Sequence, residues 1–501
     1  MLKIQNSKFK FQIVTAFLAA LFIFTSSAFA QNETPPTPGA PRAAKIPTVA
    51  QKKLPNGLTI ATVERKNVPL VTVQFMVTNG ANMEMPEEAG LANITASMLT
   101  KGTKTRTASQ IAEQIEFLGG QISSGAGWNS SLVTVTVMSD KLDAAMAILS
   151  DVVLNPTFKP EEIDLLKSQT LDGLAYNLRQ PGFLANYVAS KYSFDEHPAG
   201  GTPDSITKLE REDIANYYET QYKPAESVLV FAGDITPVRA NALAQRFFGK
   251  WRGSSVIEKV AKMESEPVKP VDATVRRILV VDLPDSGQAS VNYLKLIDEG
   301  RADYDNNGKG KSSAIFYPGL VLNSVFGGGY SSRLNQEIRI KRGLSYGAGS
   351  SFNWRVEKTN FGARTQTKNE SAAEVAELVL AEIQKLKTTN VATAELAPRK
   401  LVLTGEFGRE LETTGGLAQA IATLYTYSLP LSDLNSHIQN VNSITDSEVK
   451  SFATEYMKSG DLVIVGDYKI FKDDLAKRFP NMQIDVIKAD ELDLSKDNLR
   501  K

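Results

Sequence analysis

Cysteine is absent from the 501 residues, and histidine occurs only twice, as His197 and His437. The first absence excludes disulfides and every thiolate metal centre. The second leaves little imidazole for a zinc site, whose ligands are mostly His, Cys and carboxylates. Charge of either sign is not in excess. The 56 Lys and Arg balance 56 Asp and Glu, so the basic surface of a nucleic-acid binder is not expected. What is present is ordinary for a soluble globular protein, with 42% hydrophobic residues. The length exceeds one ordinary core and implies two domains or more.

The N-terminus departs from this average. Lys3, Lys8 and Lys10 precede an almost wholly apolar stretch over 13–24, and Ser26-Ser27-Ala28-Phe29-Ala30 supplies the small residues a signal peptidase reads. This pattern is a secretory signal over 1–30, cleaved after Ala30, and the apolar run is shorter than the ~20 residues of a membrane span. The expected location is therefore periplasmic, with no stable membrane anchor. Residues 31–48, rich in Pro, Thr and Ala, read as a flexible lead-in.

Beyond the lead-in, Leu54-Pro55-Asn56-Gly57-Leu58 reads as a turn between strands. Segments 59–63 and 70–77 alternate apolar and polar residues, as half-buried strands do. Helices are predicted over 90–99, 109–118, 140–153 and 160–178, and strands over 132–138 and 228–232. The order then repeats. Ile122-Ser123-Ser124-Gly125-Ala126-Gly127 matches Leu344-Ser345-Tyr346-Gly347-Ala348-Gly349, and the strand ending Gly233-Asp234 matches the one ending Gly466-Asp467. Self-similarity over half the chain indicates two copies of one domain, since a solenoid repeats every ~20–50 residues. The expected class is α+β: two homologous mixed α/β domains, each a mostly antiparallel sheet with helices packed on one face, over 49–251 and 273–488. A linker spans 252–272 and a charged tail 489–501.

Several segments resemble the insulinase/pitrilysin (M16) metallopeptidase family in their order: Leu54-Pro55-Asn56-Gly57-Leu58, Gly90-Leu91-Ala92, Met98-Leu99-Thr100-Lys101-Gly102-Thr103, His197-Pro198, Tyr222-Lys223-Pro224, and Arg342-Gly343-Leu344-Ser345-Tyr346. The resemblance covers roughly residues 50–470. It implies a proteolytic chamber built from such domains. Active members hold zinc with His-x-x-Glu-His and a distal Glu. Residues i and i+4 share one helical face, and the intervening Glu takes a proton from the metal-bound water. Here the first His position is Asn93, the base Ala96 and the second His Ser97. The distal Glu position is Gly173, with Asp172 adjacent. No ligand or base remains, so no metal is expected on this chain. Asn93 and Ser97 read as solvated or hydrogen-bonded residues of the cavity face.

The resemblance also implies a second half-site. Family members carry an Arg and, seven residues on, a Tyr that hold substrate and steady the oxyanion. Arg339 and Tyr346 stand at that spacing. A helix over 336–341, ended by Gly343, would carry Arg339, and Tyr346 would open the next strand. The bland alternative makes Arg339 a surface helix residue and Tyr346 a core one. Arg342 reads as a helix-end cation. Gly327-Gly328-Gly329 lacks the Lys-Ser/Thr ending of a phosphate loop and reads as a flexible turn. Residues 303–311 read as an exposed insertion. The implied function is that of a zinc-less subunit that lends Arg339 and Tyr346 to a homologous partner bearing zinc and His-x-x-Glu-His, acting on peptides. The alternative is a catalytically inert peptide-binding or scaffold protein of the same fold.

Overall fold

The structure, a computed structural model, describes residues 47–253, 273–305 and 308–501. The expected signal peptide, nearly all of the lead-in and nearly all of the linker lie outside these residues.

The turn at Asn56-Gly57 joins β1 (Val49–Lys53) to β2 (Thr59–Glu64). Gly57 takes φ +97, a conformation that favours glycine, and its N–H donates to Leu54 O at 2.9 Å. With β3 (Leu70–Val77), β4 (Gln121–Ala126), β5 (Ser131–Met138) and β6 (Ser227–Gly233), these strands form a six-stranded sheet ordered β1-β2-β6-β3-β5-β4. The helices Leu91–Met98, Ala108–Phe117, Leu142–Leu154 and Pro160–Asn177 fall within about two residues of their predicted bounds.

The second half contributes β7 (Val275–Asp282), β8 (Ala289–Ile297), a short hairpin of β9 (Ala302–Tyr304) and β10 (Gly310–Ser312), β11 (Ala348–Trp354), β12 (Thr359–Thr367), β13 (Gly460–Gly466) and β14 (Ile484–Lys488). Its main sheet runs β11-β12-β8-β13-β7-β14. From the opposite edge this is the first sheet again. In each half the first long strand lies parallel to the last, and the second lies antiparallel between the last strand and a hairpin. Only the outer strand differs: β1 precedes its neighbour and runs antiparallel to it, whereas β14 comes from the C-terminal end and runs parallel. The two homologous α/β domains expected from the repeat are both present.

Strands β2 and β3, expected to be half-buried, are buried on both faces. The helix Thr414–Thr426 of the second half covers the face turned away from the first half's own core, with Leu417 and Ile421 against Ala61, Met76 and Val230. Two polar residues of the alternation find partners there: Thr72 Oγ1 lies 2.9 Å from Thr414 Oγ1, and Gln74 Nε2 donates to Gln419 Oε1 at 3.0 Å. The exchange is reciprocal. The helix Pro181–Tyr192 of the first half packs Leu184 and Val188 on Leu279, Leu294 and Val463 of the second sheet. Each sheet thus carries its own helices on one face and a helix lent by the other half on the opposite face.

The charged tail is docked: Leu499 is buried in that shared cluster, and Arg500 Nη2 donates to Asp485 Oδ1 at 2.7 Å. The segment read as an exposed insertion is exposed at most of its described positions and forms the β9–β10 hairpin, whose Gly310 N–H donates to Ser428 O at 3.0 Å. One peripheral expectation needs correction. The glycine turn is pinned rather than loose. Gly327 O accepts from Ser350 N at 3.1 Å, and a Cβ on Gly327 would sit 2.4 Å from that nitrogen.

Candidate functional site

The helix Leu91–Met98 begins at Gly90, whose φ is +93, and has no side-chain cap of its own. Its free N–H groups are met from outside. The buried carboxylate of Glu84 accepts from Gly90 N at 3.0 Å and from Ala92 N, where a negative charge complements the helix dipole. His197 Nε2 lies 3.0 Å from the same carboxylate. Burial pushes the Glu84 carboxyl up, opposed by His197 and the two N–H groups. Trp128 packs its ring 5.0 Å from His197, and Arg355 of the second half sits 4.0 Å from the Trp128 ring. His197 is thus part of the support of this helix, and a helix-capping Glu six residues before a glycine was not legible beforehand.

On the helix, Asn93 and Ser97 are half-buried on one face, and neither side chain has a hydrogen-bond partner among the described residues. Ala96 is fully buried. Gly173 lies on the neighbouring helix Pro160–Asn177 with open space where a side chain would start. Among the described residues no three His, Cys, Asp or Glu side chains converge on one point. An amide, a methyl, a hydroxyl and a hydrogen do not make the N/O⁻ donor set zinc requires. Zinc does not fit these positions.

Arg339 lies on a π-helical turn, Asn335–Ile340, a geometry frequent at functional sites. Gly343, at φ +65, closes it as expected, its N–H donating to Arg339 O at 3.0 Å. The Arg339 guanidinium sits 5.1 Å from the Tyr330 ring and has no ion pair among the described residues. Tyr346 does not open a strand, because β11 starts at Ala348. It stands on the preceding bend and is 89% exposed, so it is not a core residue. The bend itself is held firmly. Thr365 Oγ1 donates to Gly347 O at 2.9 Å, Thr367 Oγ1 to Leu344 O at 2.6 Å, and Ser345 Oγ accepts from Gly347 N at 3.0 Å. Sequence reasoning missed these two threonines, whose β-branched side chains read simply as strand. Tyr346 borders a cavity of about 390 Å3 that Arg339 does not line.

Comparison with known proteins accounts for this architecture. Residues 59–183 match the family model described as insulinase (peptidase family M16), and residues 208–400 match the peptidase M16 inactive domain. A Rickettsia bellii protein named an uncharacterized zinc protease is 29% identical over 306 residues, covering 60% of this chain and 68% of its own. A Streptomyces coelicolor protein of the same description is 24% identical over 85% of this chain and 91% of its own. Among solved structures, a peptidase M16 inactive domain from Pseudomonas fluorescens superposes with TM-score 0.73 at 23% identity, over 84% of this chain and 98% of that one. A protease from Helicobacter pylori gives 0.74 at 18% identity, over 84% and 100%. This chain belongs to the insulinase (M16) peptidase family.

Proposed function

We propose that the chain is the zinc-less subunit of a periplasmic, heteromeric M16 peptidase. In this reading it joins a homologous partner that carries His-x-x-Glu-His and its zinc, and it supplies Tyr346 and Arg339 to the hydrolysis of peptides. The observation that carries this reading is Tyr346: a phenol 89% exposed, on a bend fixed by three hydroxyl groups, with no packing role of its own. Preorganised donors of this kind act on charge that develops during reaction. When water attacks an amide, the carbonyl oxygen becomes an oxyanion. The phenol O–H of Tyr346 can donate to it, and the Arg339 guanidinium, unpaired among the described residues, can hold a neighbouring substrate carbonyl. The vacated positions Asn93, Ala96, Ser97 and Gly173 support assigning the metal to the partner. A solved relative described as the periplasmic protease PqqL of Escherichia coli, at TM-score 0.67 and 14% identity, is in keeping with the compartment read from the N-terminus.

Steady-state kinetics on the assembled complex test the reading. Tyr346→Phe or Arg339→Ala should lower turnover by about 10²–10³, with complex formation intact. Arg342, held by the Glu337 carboxylate, should matter much less. Unchanged turnover in both variants would replace this reading with that of an inert scaffold.

A further inference from the structure

The Pro181–Tyr192 helix leaves part of the second sheet's face uncovered. There lies the cavity of about 390 Å3, walled by Asn186 of the helix, Ser290 and Asn292 of β8, and Arg364 and Gln366 of β12, with Tyr346 at its border. Arg364 is its one charged lining residue among those described. Burial lowers the proton affinity of that guanidinium, and no carboxylate offsets it. Its Nη1 donates to Ser351 Oγ at 3.2 Å, while its Nε has no partner. The group is seated on bare backbone: a Cβ on Gly362 would lie 2.6 Å from Arg364 Cζ. A largely buried cation without a counter-charge is costly unless something supplies one.

Asn292 stands directly across the strand pair from Arg364. It is 1% exposed, its Nδ2 donates to Ser290 Oγ at 3.1 Å, and its Oδ1 has no partner. A donor lacking an acceptor and an acceptor lacking a donor thus occupy neighbouring positions on one face. The helix beginning at Pro181 has no side-chain cap, and its second residue, Gly182, lines the same cavity, so the positive end of the helix faces the same space.

We propose that this cavity binds the C-terminal carboxylate of a peptide. The carboxylate accepts from Arg364, and the N–H of the same terminal residue donates to Asn292 Oδ1. A simple anion would satisfy only the first of these groups. That the ligand is a peptide rests on the proposed function; the site itself belongs to this chain alone.

Calorimetric titration of the isolated mature chain needs no zinc-bearing partner, so its failure leaves the subunit assignment standing. Three probes are used: a peptide of neutral side chains with a free C-terminus, its C-terminal amide, and an amidated peptide with an internal Glu. The free acid should bind, and the amide should bind at least tenfold more weakly. Arg364→Gln should lose at least tenfold in affinity for the free acid while its thermal midpoint holds or rises, because an uncompensated cation has been removed. Arg364→Lys should keep part of the affinity. Equal binding of acid and amide overturns the proposal, and this comparison needs no variant. Arg364→Gln binding as tightly as the native chain also overturns it. Tight binding of the amidated Glu peptide alone overturns the assignment to a chain terminus and makes the ligand an acidic side chain.

Discussion

Nε2 of His197 lies 3.0 Å from Oε2 of Glu84, and through that carboxylate it steadies the first turn of the helix that carries Asn93, Ala96 and Ser97. One of only two histidines in the chain therefore serves the helix without being a ligand on it. His197→Ala would strip the buried Glu84 carboxyl of its side-chain partner and leave only the Gly90 and Ala92 N–H groups on it. Leaving a buried polar group short of a partner costs about 1–3 kcal/mol, read as a drop in the urea midpoint. Glu84→Gln keeps one acceptor for the helix and should cost less. A loss below about 1 kcal/mol in His197→Ala, the level of an exposed pair, would show that the contact carries little of the fold.

The other histidine sets an acid limit. His437 is stacked on Phe407 with ring centroids 4.2 Å apart. Burial foremost, and then the Arg301 charge, push its pKa down to about 4. The folded state holds it neutral, while the unfolded chain protonates it near its ordinary value of about 6.5. Its contribution is thus complete above pH ~6.5 and is lost as pH falls toward 4. Unfolding midpoints between pH 7.5 and 4.5 should fall less steeply for His437→Phe than for the native chain. Parallel profiles would contradict this.

The exchanged helices bind the two halves into one cooperative unit. Leu417 and Leu184 are almost wholly buried, each against the sheet of the opposite half. Leu417→Ala or Leu184→Ala should cost about 2–5 kcal/mol. Calorimetry should still show a single transition, lowered as a whole. Two separate transitions in the native chain would mean that the halves unfold independently.

Much of this fold was legible because it is local. Strand alternation, the Gly57 turn and the Gly343 stop depend on near neighbours, and the duplication shows wherever the same local signals recur. The second covering of each sheet was not legible. Thr72 and Gln74 look like solvent-facing residues until Thr414 and Gln419 arrive from the other half. Of the site, residue type alone shows that Asn93, Ala96, Ser97 and Gly173 offer no donor set for zinc. The exposure of Tyr346 was not legible, because a tyrosine two residues before a strand reads equally well as core. Glu84 is separated from His197 by 113 positions, and no local pattern announces that pairing.

The most direct measurement of the central claim is zinc content and peptide hydrolysis for the mature chain, alone and after mixing with a homologous subunit that bears His-x-x-Glu-His. The chain alone should hold no stoichiometric zinc and cleave nothing, and the mixture should hydrolyse peptide faster than the partner by itself. One zinc per chain with chelator-sensitive hydrolysis by this subunit alone would contradict the account.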